Sequence, residues 1–148
     1  MKKLFAIVAT LLFAGLSLCG CGKSEGGGTG LSVAGNWHLV SWSENKPEYL
    51  DVYINFKGSS FTLYQRVASH EYKKLTGSFV LSGTTLTGKY ADGKEWGGSP
   101  YEVAIKSGKL ELTSKSGDVS LYESCTTIPA EVESATVRSA SDVDFRFL

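Results

Sequence analysis

From Gly35 onward, apolar and polar residues alternate with a period of two, which is the pattern of β-strands that bury one face. Eight such runs follow one another, and no segment between them has the 3.6-residue period of a helix. The connections are too short for the crossovers of a dozen or more residues that parallel strands require, so the strands are predicted to pair antiparallel. The runs are Trp37–Trp42, Tyr49–Phe56, Phe61–Val67, Leu75–Leu81, Leu86–Tyr90, Tyr101–Ile105, Leu110–Leu112 and Val119–Leu121.

Tight turns and longer loops alternate along the chain. The tight turns are Gly58-Ser59, Ser82-Gly83 and Ser107-Gly108, and the longer loops are 43–48, 68–71 and 92–99. In an up-and-down arrangement, alternate connections lie at the same end, so the tight turns would close a base and the loops would surround a mouth. The sequence therefore predicts an all-β, eight-stranded antiparallel up-and-down barrel over residues 35–127, a closure that leaves no exposed sheet edge.

Residues 1–20 have the pattern of a signal segment. Lys2 and Lys3 precede an apolar run from Leu4 to Leu18, which is too short for the roughly 20 residues of a membrane span. The run ends in Leu18-Cys19-Gly20-Cys21, which resembles the lipobox of bacterial lipoproteins. That resemblance implies acylation of Cys21, because the small residue Gly20 precedes it, and anchoring of the protein in a membrane through the acyl chains.

Residues 21–34 form a Gly-rich stretch that is predicted to be a flexible, lipidated tether. Removal of Lys2 and Lys3 with the signal leaves 13 basic residues of the original 15 against 15 acidic ones. This mildly acidic protein lacks the clustered positive charge that nucleic-acid binding requires. Cys125 is then the one cysteine without a predicted role, and we interpret it as a packing residue.

Several segments resemble the lipocalin family. Gly35-Asn36-Trp37 at the start of the first strand looks like the Gly-X-Trp signature that opens the lipocalin barrel. The segments Val52–Phe56, Phe61–Arg66, Gly88–Gly93 and Ile128-Pro129 are similar to lipocalin-like lipoproteins of Bacteroides-type bacteria. The resemblance implies that Gly35 and Trp37 close the base of the barrel. This sequence differs from the family pattern in one respect: its last strand contains no Arg that could contact Trp37.

Strand alternation and loop position nominate two groups of candidate binding residues. An eight-stranded barrel is either filled by its own side chains or wide enough for one small ligand. Gly77 and Gly88 either leave a void inside or mark bends at which the sheet closes. The predicted ligand-binding residues are Ser41, Gln65, Tyr90 and Tyr101 inside the barrel and Trp96 on the rim of its mouth. On the rim, the predicted contacts with a partner are Trp42, Tyr49, Arg66 and His70. Trp96 lies in a Gly-rich loop that is predicted to be mobile, so that its indole would cap the cavity, stack on a sugar, enter a partner or fold back over the mouth.

Two functions remain open at the level of sequence. The first is a membrane-anchored binding protein for a small apolar or amphipathic ligand in the bacterial envelope, in or on the outer membrane. The second is an interaction module with a filled barrel that presents Trp42 and Trp96 to an envelope protein or glycan. The two histidines and the loop carboxylates show neither metal-ligand nor catalytic spacing, so we expect no enzyme, no metal and no cofactor.

The residues after the barrel, 128–148, are predicted to begin with a short helix. Pro129 suits the first turn of a helix that would extend from Ala130 to Val137. The final Phe145-Arg146-Phe147-Leu148 cluster is compatible with a strand packed on the barrel or with a frayed end.

Overall fold

The computed structural model describes residues 30–42 and 49–148, and it shows a closed barrel of eight antiparallel strands in chain order. This confirms the predicted fold class. The tight hairpins lie at one end, where Gly58 and Gly83 adopt a positive φ of 62° that glycine tolerates without strain. The strands are β1 Gly35–Trp42, β2 Asp51–Lys57, β3 Ser60–Arg66, β4 Lys73–Ser82, β5 Thr85–Tyr90, β6 Tyr101–Lys106, β7 Lys109–Thr113 and β8 Val119–Cys125.

Alternate residues of the strands fill the interior with apolar side chains. In β2, Val52, Ile54 and Phe56 are fully buried, whereas the residues between them are partly exposed. Phe56 packs edge-on against Phe79 of β4, with ring centroids 4.9 Å apart. The barrel is therefore built around an aromatic core rather than around an open channel.

At the base of the barrel, Trp37 of β1 is buried beneath the residues that precede the strand. Its indole Nε1 donates a hydrogen bond of 2.7 Å to the carbonyl oxygen of Val33, which is itself buried. Gly35 lies between them in an exposed position with φ of 128°, a conformation that favours glycine. A backbone carbonyl thus accepts the indole hydrogen bond at this end.

A bulge in β1 changes which residues face the interior. The pairing of β1 with β8 shifts register between Leu39 and Ser41, so the alternation of inward and outward side chains breaks at Val40. The prediction that Ser41 faces the interior is wrong, because Ser41 is exposed beyond this bulge. Trp42 takes the inward direction instead and packs against Phe147.

The join between β5 and β6 is completed by a loop segment. Only two residue pairs link these strands, Thr85 with Glu102 and Leu86 with Tyr101. Beyond them, residues 94–96 pair with β5: Tyr90 N donates to Lys94 O at 2.7 Å, and Trp96 N donates to Gly88 O at 3.0 Å. This pairing directs Trp96 into the barrel.

Residues after β8 run from the base to the mouth along the outside of the barrel. The predicted helix is a single turn, α1 Ala130–Glu133, shorter than expected because the chain then pairs with β4. Lys74 N donates to Thr136 O at 3.2 Å, and Arg138 N donates to Lys74 O at 2.8 Å. A 3₁₀ turn at Ala140–Asp142 follows, and the last residues enter the mouth.

The predicted signal segment 1–20, including Cys19, and residue 21 with most of the tether lie outside the described residues. Within residues 30–42 and 49–148, no helix has the length and apolar character needed to cross a membrane.

Candidate functional site: the barrel mouth and its plug

Four of the five predicted ligand-binding residues lie together inside the barrel. Gln65, Tyr90, Trp96 and Tyr101 are between 2% and 5% exposed. The buried polar side chains among the described residues are Gln65 and Ser120, so the wall of the site is mostly apolar and carries no buried charge. Such a lining suits an apolar or amphipathic occupant that brings a few polar atoms.

Residues 145–148, which we call the plug segment, occupy the mouth. The Gln65 side chain holds the plug backbone at two points: Nε2 donates to Phe145 O at 2.6 Å, and Oε1 accepts from Phe147 N at 2.9 Å. The Tyr90 hydroxyl donates to Leu148 O at 2.8 Å. The polar groups of Gln65 and Tyr90, two of the interior residues that strand alternation identified, are therefore satisfied by the chain itself.

The side chains of the plug segment fill apolar pockets. Phe147 makes edge contacts with Trp42 and Tyr122, at centroid distances of 5.5 and 6.4 Å. Phe145 lies 6.2 Å from Trp42 and stays 41% exposed, whereas Leu148 is 1% exposed. The segment therefore passes from solvent at Phe145 to the barrel interior at Leu148.

A hydrogen-bonded latch fastens the chain just before the plug segment. Asp92, in the loop between β5 and β6, accepts three hydrogen bonds through Oδ2: from Ser139 Oγ at 2.9 Å, Ser141 N at 3.0 Å and Ser141 Oγ at 2.9 Å. Its Oδ1 accepts from Lys94 N at 3.2 Å. We call this group the Asp92 latch.

The latch is ionised across the neutral range. Desolvation alone would raise the pKa of Asp92, but the hydrogen bonds from Ser139, Ser141 and Lys94 outweigh it and lower the pKa from 3.8 to about 2. A carboxyl group with a lowered pKa in the folded state stabilises that state above its unfolded pKa. This contribution is therefore complete above pH 3.8 and is lost as the pH falls toward 2.

The space left beside the plug segment is small. A pocket of about 240 Å³ lies between Trp42, Tyr101, Ser120 and the plug residues Phe145 and Leu148. Sites for drug-sized ligands usually have volumes of about 300–1,000 Å³. A larger ligand therefore fits only when the plug segment moves.

The hydroxyl groups of the interior tyrosines are neutral. Burial raises the pKa of Tyr101 to about 12 and raises the pKa of Tyr90 and of Tyr122 further above the ordinary value. Deprotonation of these hydroxyl groups at neutral pH is therefore excluded, and the site offers O–H groups to carbonyl or carboxylate oxygens.

Trp96 fills the space that the interior glycines leave. A Cβ atom at Gly88 would lie 2.3 Å from the indole of Trp96, and one at Gly77 would lie 2.7 Å from the ring of Phe61. The prediction that these glycines leave a void is therefore wrong, as is the prediction of a mobile Trp96 on the rim. The indole also packs against Tyr101, and its buried Nε1 has no hydrogen-bond acceptor among the described residues.

The predicted rim residues do not form one surface. Tyr49 and His70 are exposed and contact each other at the mouth, with ring centroids 4.7 Å apart. Trp42 faces the plug segment, and Trp96 is buried. The interaction-module hypothesis therefore lacks the two exposed indole rings on which it was based.

Arg66 belongs to a polar cluster on the outside of the barrel that sequence spacing did not reveal. Its guanidinium lies 3.8 Å from Asp51 Oδ2 and 4.9 Å from the ring of Tyr72. Asp51 also accepts a hydrogen bond from the Tyr72 hydroxyl and lies 2.7 Å from His38 Nε2. The His38 ring stacks on the Tyr53 ring with centroids 4.2 Å apart, so the residues of this cluster stabilise one another's positions.

In the described part of the chain, no three His, Cys, Asp or Glu side chains are grouped as metal ligands would be. Cys125 is partly buried at the end of β8, and burial raises the pKa of its thiol, which disfavours the reactive thiolate.

Comparison with known proteins gives one match. A family model described as a lipocalin-like domain matches residues 33–112, more than half of the chain, from just before β1 into β7. No curated protein and no solved structure shows significant similarity to the chain.

Proposed function

Because the chain belongs to the lipocalin-like domain family, we propose that it is a lipid-anchored protein of the bacterial envelope that binds a small apolar or amphipathic molecule in its barrel mouth. The observation that carries the proposal is the pairing of Gln65 and Tyr90 with an amphipathic segment inside the mouth. These groups are placed to hold an occupant, since a barrel filled only by core side chains would not need them.

The chemistry of the mouth favours a ligand with an apolar body and one or two polar atoms. Trp42, Tyr101 and Tyr122 provide aromatic walls, and Gln65 and Tyr90 provide directed hydrogen bonds. The family consists in general of binding proteins rather than catalysts, and we propose the same for this chain.

A fluorescent fatty-acid analogue tests the binding site. We expect it to bind the full chain, and we expect Tyr101→Trp to weaken binding at least about tenfold, because the larger ring fills the pocket beside the plug segment. Tyr49→Trp is the matched control, since Tyr49 is 47% exposed and outside the pocket. Absence of binding to both the full chain and its Asp92→Asn variant would refute the proposal.

The proposed anchor is the acylated Cys21, joined to the barrel by the Gly-rich residues 22–34. A buried methylene contributes about 0.8 kcal/mol, so several acyl chains on one residue hold a protein on a bilayer. The supporting feature is the lipobox-like Leu18-Cys19-Gly20-Cys21, and the proposed location is the outer membrane, facing the periplasm or the cell surface.

Replacement of Cys21 by serine is expected to release the protein from the membrane. In cell fractionation, we expect the Cys21→Ser protein in the soluble fraction, because it has no residue to carry the acyl chains. Cys19→Ser is the control and should stay with the membrane. A Cys21→Ser protein that sediments with membranes as the unchanged protein does would contradict the anchor.

A further inference from the structure

We infer that the barrel mouth is a peptide-binding site, and that its ligand in trans is an extended apolar peptide with an aromatic residue followed by leucine. Residues 145–148 are the resident occupant, which such a peptide displaces. The inference rests on the proposed function in that it places the ligand in the same mouth, and it names the chemical class of that ligand.

The contacts of Gln65 are those of a β-strand partner. Its side-chain amide accepts from the N–H of Phe147 and donates to the C=O of Phe145, which are two residues apart in the plug segment. A peptide backbone presents a donor and an acceptor at this spacing in every extended conformation. A fatty acid carries no donor along its chain and cannot satisfy both ends of the Gln65 amide.

The side-chain pockets give the site a preference for sequence. The position of Phe147 lies between Trp42 and Tyr122, which together form an aromatic pocket. The next residue, Leu148, is buried, and its carbonyl oxygen accepts a hydrogen bond from the Tyr90 hydroxyl. Gln65 and Tyr90 bind the backbone of the occupant, and two adjacent pockets accept an aromatic and an aliphatic side chain. The site is therefore suited to an Xaa-aromatic-Leu segment. Apolar side-chain pockets also provide specificity in known peptide-binding sites.

The resident segment is held in a way that permits exchange. Before the segment enters the mouth, the chain is fastened by the Asp92 latch, whose donors and acceptor lie on the protein surface, and by the buried side chains of Ala140 and Val143. Phe145 is 41% exposed, and Arg146 donates to Ala140 O at 2.8 Å and to Val143 O at 3.3 Å, which belong to the residues just before the plug segment. A competing peptide therefore has to replace three backbone hydrogen bonds of the plug segment and to occupy the pockets of two of its side chains. The apparent dissociation constant of that peptide is its intrinsic constant divided by the fraction of open mouths.

The test uses a synthetic peptide with the sequence of residues 143–148, Val-Asp-Phe-Arg-Phe-Leu, labelled at its amino end. Its binding to the full chain is compared with binding to two full-length variants that weaken the resident segment and leave the mouth intact. Asp92→Asn keeps an oxygen for Lys94 N but replaces the Oδ2 acceptor by an NH₂ group. Phe147→Ala empties the pocket between Trp42 and Tyr122.

Both variants are expected to bind the peptide at least about tenfold more tightly than the unchanged chain, because both raise the open fraction. Glu95→Gln, which removes a charge from the same loop at a residue paired with Lys89, is the control and should not change peptide binding. In the unchanged chain, saturating peptide should accelerate hydrogen exchange at the Phe147 amide, because the resident segment leaves Gln65.

A peptide that is N-methylated at the second phenylalanine distinguishes hydrogen bonding to the peptide backbone from burial of its apolar side chains. It cannot donate to Gln65 but keeps both apolar side chains, so it is expected to bind at least about tenfold more weakly. Equal binding of the two peptides would overturn the inference, as would failure of the peptide to bind either variant more tightly than the unchanged chain. The fatty-acid probe is measured in parallel: if the probe binds and the peptide does not, the proposed function stands and the inference fails.

Discussion

Replacement of Trp96 by alanine is expected to lower the free energy of unfolding by about 3–5 kcal/mol, the range for removal of a large aromatic side chain from a core. The indole is 2% exposed and contacts Phe61, Phe56 and Tyr101, with ring centroids 4.9, 6.5 and 6.0 Å away. Its loss leaves a cavity that these rings cannot fill, since the strands fix their positions. Urea unfolding followed by circular dichroism measures the change.

Trp96→Phe is the informative companion variant. It keeps an aromatic ring against Phe61 and removes the buried Nε1–H, which has no acceptor among the described residues. A buried donor without a partner costs about 1–3 kcal/mol, so we expect Trp96→Phe to lose less than about half of what the alanine variant loses. A loss below about 1 kcal/mol for Trp96→Ala would show that the indole does not support the core.

Replacement of Gly77 by alanine is expected to destabilise the barrel by about 3 kcal/mol, the upper part of the range for overpacking. A Cβ atom at this position would lie 2.0 Å from the carbonyl oxygen of Lys89 and 2.7 Å from Phe61 Cε1. Because the nearer atom belongs to the backbone of β5, relief requires β4 and β5 to separate where Gly77 pairs with Tyr90.

Gly97→Ala is the control for Gly77→Ala. A Cβ atom at Gly97 would meet nothing within 4 Å, so the same substitution should leave the melting temperature nearly unchanged. If Gly77→Ala melts within about 2 °C of the unchanged chain, then β4 and β5 are more adaptable than this close contact indicates.

The barrel could be predicted from the sequence because its determinants are local. Alternation specifies each strand, and hairpin residues such as those at Gly58 and Gly83 specify which neighbours pair. The same reasoning placed Gln65 and Tyr90 inside, since their strands have no irregularity before them.

The errors arose where a feature depends on distant residues. The bulge after Leu39 is formed against β8, more than 80 residues later, and it turns Ser41 outward. Trp96 enters the core because residues 94–96 complete the pairing of β5, which the glycines around it did not indicate. The sequence of the plug segment is compatible with packing on the barrel and with a frayed end. Local sequence cannot decide between them, because the partner Gln65 is 80 residues away from Phe145.

The position of the plug segment also implies that the barrel closes before residues 145–148 enter its mouth. Its contacts come from Trp42 of β1, Gln65 of β3, Tyr90 of β5 and Tyr122 of β8, and these four strands form one site only after the barrel has closed. Contacts between strands so far apart in the chain form slowly, and residues 145–148 follow every strand in the sequence. We therefore expect an open barrel to precede the plugged one during folding, so that the ligand proposed above would meet an unoccupied mouth if it were present where the barrel folds.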